Sequence, residues 1–173
     1  MPIAVTISYV RDSFMKRLTY GQGFTLIEIL VVLAIIAILA AIATLFVGKY
    51  VERAKVAQAH SDIDAIYVAM ILMENDTNEW PGHQELNRIN SSGTNEIWDL
   101  SSPSAGLVAT DGNFPGWDGP YVSSIPLDPW GNPYFLDSDY RINGVNRAAL
   151  GSFGPNGIGR NVYDDDDVIK ILR

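Results

Sequence analysis

From Leu26 to Val47 the chain carries one ionisable side chain, Glu28, and no proline. Taken from Phe24, where the apolar stretch begins, a helix this long extends roughly 36 Å, enough to cross a hydrocarbon core of about 30 Å. The run is apolar on every side rather than along one stripe, so it has no polar face to turn to water. Such a segment needs lipid or other protein around it. Gly48 follows it, where the polar residues resume.

The 173-residue chain is organised around this run. Residues 1–23 hold Arg11, Lys16 and Arg17 against Asp12, a net charge of +2. The whole chain has 12 basic and 20 acidic residues, so 9 basic and 19 acidic remain beyond residue 23, a balance of −10. A chain this acidic lacks the basic face that displaces counterions, so no nucleic-acid partner is expected. It has no cysteine, which excludes a disulfide framework, a thiolate zinc site and a cysteine nucleophile. His60 and His83 are its only histidines, too few for a multi-histidine metal centre.

The helix is expected to continue from Lys49 to about Glu74. Val56, Ile63, Ile66, Tyr67, Met70 and Met73 recur at three- and four-residue steps and mark one apolar face. Lys49, Glu52, Arg53, Lys55, Asp62 and Asp64 fall mostly off it. Asn75-Asp76 and then Trp80-Pro81-Gly82 break the pattern. Beyond Trp80 the chain is rich in glycine, proline, asparagine and serine, with short apolar runs at 119–122, 133–136 and 148–153. Turn signals at Asp111-Gly112, Asp128-Pro129 and Gly131-Asn132-Pro133 separate those runs. The expected fold is α+β: one long helix, its first half in lipid and its second packed on a small antiparallel sheet with long loops. The stretch 90–117 yields no readable element.

Three readings compete for residues 24–47. The first is a plain membrane anchor. The second is a secretory signal peptide cut after Ala41-Ile42-Ala43, which would leave Thr44 as the mature terminus. Against it, the apolar run exceeds the 7–15 residues usual for such a core, and Glu28 lies inside it. The third begins from the string Gly23-Phe24-Thr25-Leu26-Ile27-Glu28, which neither of the others explains. A carboxylate inside a membrane helix costs about 2.5 to 3.5 kcal/mol on insertion scales, so it usually has a partner or a purpose.

That string, with the uncharged run after it, resembles the N-terminus of type IV pilins and of the pseudopilins of type II secretion. The resemblance implies a leader, residues 1–23, cut between Gly23 and Phe24 by a prepilin peptidase that then N-methylates Phe24. It also implies that Glu28 meets the terminal amine of a neighbouring subunit and sets the register of a growing filament. Orientation rests on the same resemblance, because Arg11, Lys16 and Arg17 before the span are matched by Lys49, Arg53 and Lys55 after it.

The later sequence narrows the family. Trp117-Asp118-Gly119-Pro120-Tyr121, then Asp128-Pro129-Trp130-Gly131-Asn132-Pro133-Tyr134, resemble the major pseudopilins of type II secretion, the protein G family. Asp62-Ile63 and the turn from Asn75 to Pro81 also match. Physically, Asp-Pro and Gly-Asn-Pro are turn chemistry, and Trp130 and Tyr134 are expected as core aromatics. Two departures stand out: relatives often carry a proline near the position of Leu45, and residues 138–149 read as an unmatched variant of a strand connection.

Near the C-terminus, Ser152-Phe153-Gly154-Pro155-Asn156-Gly157 precedes Asp164-Asp165-Asp166-Asp167-Val168. Four adjacent aspartates repel one another, so they are either a solvated acidic tail or neutralised by a cation. Calcium suits them, since it takes 6 to 8 oxygen ligands in irregular geometry, whereas magnesium prefers fewer carboxylates and several waters. The family resemblance implies a calcium loop ligated by the backbone carbonyls of Phe153 and Asp164 and by Asn156, Asp166 and Asp167. Asn156 stands where the family has aspartate, which keeps an oxygen ligand and removes one charge.

The resemblance thus implies a type IV pilin-like fold with a leader (1–23), a transmembrane and filament-core helix (24–47) and a periplasmic globular domain (48–173). The function implied is that of a structural subunit polymerising into a filament that drives folded proteins across the outer membrane. Its partners would be further copies of itself, minor pseudopilins, an inner-membrane assembly platform with its ATPase, and the prepilin peptidase. A type IV pilus subunit or a minor pseudopilin stays open as an alternative. So does a membrane-anchored, calcium-dependent binding domain that never polymerises. No nucleophile–base constellation or phosphate-cradling glycine loop is present, so no catalysis is expected.

Overall fold

The computed structural model describes residues 23–86 and 96–172, with the backbone alone at 43–46. Residues 1–22 of the expected leader, the side chains of Thr44 and Leu45, and the first part of the 90–117 stretch lie outside the described residues. The chain divides into two compact units at Thr44 and Leu45.

A single helix, α1, runs from Leu26 to Thr77. Its first stretch is the apolar run. Phe24 and every described side chain from Leu26 to Ile42 are exposed, and this is one helix long and apolar enough to cross a membrane. Its last stretch buries Ala59, Ile63, Ile66, Ala69, Met70 and Met73, a stripe that fixes the helix on the globular unit. The helix passes through Asn75 and Asp76, three residues beyond the end expected near Glu74, because Thr77 is buried and its hydroxyl donates to the Met73 carbonyl at 2.8 Å. Asn78 then takes a left-handed φ of 57° and donates its N–H to Glu74, which ends the helix much as glycine would.

A short hairpin follows, β1 (Glu79–Trp80) against β2 (Gln84–Glu85). His83 in its turn bonds Glu79 at 2.9 Å and Asp111 at 3.1 Å and stacks on Phe114 with ring centroids 3.9 Å apart. Burial works against the charged imidazole, but the bonds to Asp111 and Glu79 outweigh it and raise the pKa.

The main sheet has three antiparallel strands, β3 (Phe135–Ile142), β4 (Val145–Ser152) and β5 (Val168–Ile171), in the order β3-β4-β5. One set of side chains, including Leu136, Ala148, Leu150 and Val168, joins the buried stripe of α1. The alternate set, Phe135, Ala149 and Tyr140, forms a second cluster with Phe153, packed by Trp98 and Tyr163. Residues 138–149, read from sequence as a connection, are therefore the β3–β4 hairpin itself. Its turn is Asn143-Gly144, with φ of 51° and 80°, the left-handed pair that suits a two-residue hairpin. The apolar run 119–122 is not a strand; Tyr121 donates its N–H to the Leu107 carbonyl from an irregular segment.

Candidate functional site

Two places carry the residues singled out from sequence. The first is the start of α1. Thr25 precedes the helix, and its N–H and hydroxyl each donate to Glu28 Oε2 at 2.8 Å. Glu28 N–H donates back to Thr25 Oγ1 at 3.3 Å. This reciprocal pair is a capping box, and it satisfies donors that a helix start otherwise leaves free. The sequence signal is the Thr25-x-x-Glu28 spacing, which the more conspicuous charge of Glu28 inside an apolar run obscures. The carboxylate is thus held at the helix entrance with a hydrogen-bond set of its own, four residues from Phe24.

The second place is the loop between β4 and β5. Phe153 is buried and anchors its start, stacking on Phe135 at 4.6 Å between centroids. The next residue has to be glycine. Gly154 has φ +62°, and a β-carbon there would collide with the Asp166 carbonyl oxygen, so the two limbs of the loop touch at this point. Gly157 N–H closes a turn onto the Gly154 carbonyl.

Across the loop, Asn156 Nδ2 donates to Asp164 Oδ2 at 2.9 Å, while Asn156 Oδ1 accepts from Ile158 N–H. Asp164 Oδ1 accepts from Asp166 N–H, and the Asp164 carbonyl accepts from Asp167 N–H at 3.4 Å. Asp167 is half-buried: its Oδ2 accepts the Tyr140 hydroxyl at 2.5 Å, and its Oδ1 is shielded from solvent without a hydrogen-bond partner. Burial pushes the Asp167 carboxyl up, against the pull of Tyr140 and of the Asp164 N–H, and the charges of Asp164 and Asp166 add to the rise. Asp165 and Asp166 face solvent. The structure therefore gathers Asn156, Asp164 and Asp167 with Tyr140, a partner that sequence spacing could not supply from 27 residues away.

The aromatic motif residues act as fasteners to the helix. The Trp130 indole N–H donates to Glu52 Oε2 at 3.1 Å, and the Tyr134 hydroxyl donates to Asp62 Oδ2 at 2.8 Å. Tyr134 is a fully buried core aromatic, as expected, whereas Trp130 is only half-buried. Lys170 reaches Asp64 at 2.7 Å with its ammonium 4.8 Å from the Tyr67 ring centroid. Asp128 is more than turn chemistry. It is buried, its Oδ1 accepts the N–H groups of Trp130 and Asn132, and its Oδ2 accepts the Ser152 hydroxyl. Ser152 Oγ in turn accepts Gly154 N–H, so Asp128 positions the entry to the acidic loop.

Comparison with known proteins gives two family matches. Residues 20–44 match the prokaryotic N-terminal methylation motif, and residues 47–170 match the type II secretion system protein G family. The chain is 36% identical over 143 residues to the type II secretion system core protein G of Pseudomonas aeruginosa, covering 83% of this chain and 92% of that one. It is 30% identical over 147 residues to the core protein G of Aeromonas hydrophila, covering 85% and 90%. The crystal structure of the major pseudopilin from the type 2 secretion system of enterohaemorrhagic Escherichia coli aligns with a TM-score of 0.47 at 22% identity, over 72% of this chain and 87% of that one.

Proposed function

The chain belongs to the type II secretion system protein G family, as a structural subunit of the pseudopilus, and from that premise we propose how it is processed, placed and held together. A prepilin peptidase cuts between Gly23 and Phe24 and N-methylates Phe24. The stretch 24–47 then holds the subunit as a single span in the inner membrane, with the domain from residue 48 in the periplasm. Assembly draws the subunit from the membrane into a helical homopolymer, through an inner-membrane platform and its ATPase and together with minor pseudopilins. Growth of that filament drives folded proteins across the outer membrane. The chain's part in this is mechanical, with no reaction of its own.

One observation carries the assembly step. Glu28 sits at the entrance of a helix whose described side chains up to Ile42 are all exposed, so both the charge and the apolar surface look for partners outside the subunit. The free amine made by cutting at Gly23 is the partner the chemistry suggests, offered by the next subunit. Thr25 keeps the carboxylate satisfied until that amine arrives.

The C-terminal loop is read as a calcium site. Its donors are all oxygen, and the orphaned, shielded Oδ1 of Asp167 is the kind of acceptor a cation relieves. Asn156, Asp166, Asp167 and the carbonyls of Phe153 and Asp164 would hold the ion. It would supply the positive charge that lets the four aspartates stay close.

The assembly reading is tested by Glu28→Leu. Intact mass should show loss of residues 1–23 and one added methyl group on Phe24 in both proteins. The variant should remain in the membrane, since a costly charge has gone, yet form no filaments and support no secretion. Filaments of normal length from Glu28→Leu would overturn the amine pairing, and a mature terminus at Thr44 would overturn the processing.

A further inference from the structure

A second group of carboxylates uses none of the loop residues above. Ile97 and Leu136 exchange both backbone hydrogen bonds at 2.8 Å, an isolated bridge that places Glu96 beside Asp137. In β3 the register against β4 slips between Asp137 and Tyr140. A bulge of this kind turns side chains away from plain alternation. One carboxylate oxygen from each of Glu96, Asp137 and Asp139 then lies within 4.8 Å of the other two.

Hydrogen bonding accounts for the group only in part, even with the Asp139 carboxyl and the Tyr163 hydroxyl beside Asp137. Asp137 is 0% exposed, and its Oδ1 accepts the Asp139 N–H, but its Oδ2 has no partner. Glu96 Oε1 and Asp139 Oδ1 are likewise shielded from solvent and unpartnered. Among the described residues no lysine, arginine or histidine forms an ion pair with any of the three. Buried carboxylates in such numbers are ordinarily paired, protonated or bound to metal.

We infer that Glu96, Asp137 and Asp139 bind a divalent cation of the calcium type, at a site distinct from the acidic loop. The donor set contains neither histidine nor cysteine, so it does not select zinc. Calcium holds oxygen ligands at 2.3 to 2.6 Å, so ligands on opposite sides of the ion stand about 4.6 to 5.2 Å apart. Three carboxylate oxygens no more than 4.8 Å from one another can share one ion within that sphere. Magnesium is usually held by one or two carboxylates and retains several waters, a poor match to three shielded carboxylates. The bound ion ties the segment at Glu96-Ile97 to β3 at the bulge, where the backbone bridge to Leu136 is a single pair of hydrogen bonds. This inference rests on the triad alone and stands apart from the filament reading.

The test uses full-length protein in detergent, stripped with chelator and dialysed to equilibrium against radioactive calcium. Glu96→Gln/Asp139→Asn should bind one calcium fewer per chain than the unmutated protein. Added to the loop variant Asp166→Ala, the same pair should remove one further ion, which separates the two sites. In chelator the double variant should melt higher than the unmutated protein, because repulsion has gone, and calcium should then raise its melting temperature less. An unchanged calcium count together with an unchanged calcium-induced melting shift overturns the site. Should the double variant fail to fold, Asp139→Asn alone must raise the calcium concentration for half-saturation at this site at least tenfold, and an unaltered value is equally decisive.

Discussion

The two ends of α1 handle the same kind of residue in opposite ways. Leu33 and Leu39 are each 61% exposed, whereas Ile63 and Met70 are 1% exposed. Backbone geometry is common to both, so the difference lies in the spacing of side chains. The first stretch has apolar groups all round and no face that the chain's own domain could cover selectively. The second buries a stripe of them, with Ala59 and Ala69 also in it, although Val68, Ile71 and Leu72 lie off the stripe and stay exposed. A continuous apolar cylinder calls for an apolar medium, and a stripe calls for a fold. One helix can therefore serve as an anchor in its first stretch and as a scaffold in its last.

Substitutions in the two stretches should separate those roles. Met70→Ala empties a fully buried position in the stripe and should cost the domain about 2 to 5 kcal/mol, with membrane insertion unchanged. Calorimetry of the detergent-solubilised protein and carbonate extraction of membranes read the two effects. Ile35→Asp is the converse. A charge near the middle of the span costs insertion about 2.5 to 3.5 kcal/mol and should leave the domain's melting transition in place. If either change moved both readouts equally, the division between anchor and scaffold would fail.

The acidic loop belongs only to the globular part, so changes there should spare the apolar run. Asp167→Ala should lower the melting temperature in calcium and shrink the response to chelator by up to about 2.7 kcal/mol, the gain expected at a hundredfold excess over Kd. Proteolysis should then begin between Gly154 and Asp167. A melting temperature of the unmutated protein that ignores chelator would mark the four aspartates as a solvated tail.

The smallest effect belongs to the β1–β2 hairpin. With its pKa raised in the folded state, His83 binds more protons folded than unfolded as pH passes its ordinary value of about 6.5. Its contribution is therefore full below that value and lost as pH rises through the raised pKa. Because the ring is one-third exposed, at 33%, the change should stay below about 1 kcal/mol. It should vanish in His83→Gln, as read by melting temperatures between pH 5.5 and 8.5.

Much of this was legible in sequence because it depends on local spacing. The apolar run, the stripe from Val56 to Met73 and the acidic loop all declare themselves within a few turns or a few residues. The β3–β4 hairpin did not, although Asn143-Gly144 marks its turn, because Asp137, Ser138 and Asp139 interrupt the alternation just where the bulge sits. Asp128 looked like a turn residue and proved to be a buried acceptor for Ser152, a contact 24 residues distant. The triad of Glu96, Asp137 and Asp139 depends on a bridge between Ile97 and Leu136, and no periodicity foretells a pairing across 39 positions. Glu28 differs: its charge inside an apolar run is so conspicuous that its capping-box spacing from Thr25 does not stand out.

The contacts that fasten the sheet to α1 are long-range in sequence. Tyr134 meets Asp62 across 72 residues, and Lys170 meets Asp64 across 106. Chains whose contacts are this distant close slowly, because loop entropy is lost before the contact energy returns. During synthesis the stripe of Ile63, Ile66, Met70 and Met73 is made long before β5, and must wait uncovered. Over that interval the nascent domain is an amphipathic helix beside a membrane, with an apolar face that any holding chaperone or aggregating neighbour can reach. The order in which the polypeptide is made thus gives this subunit a window of vulnerability that its finished form does not display.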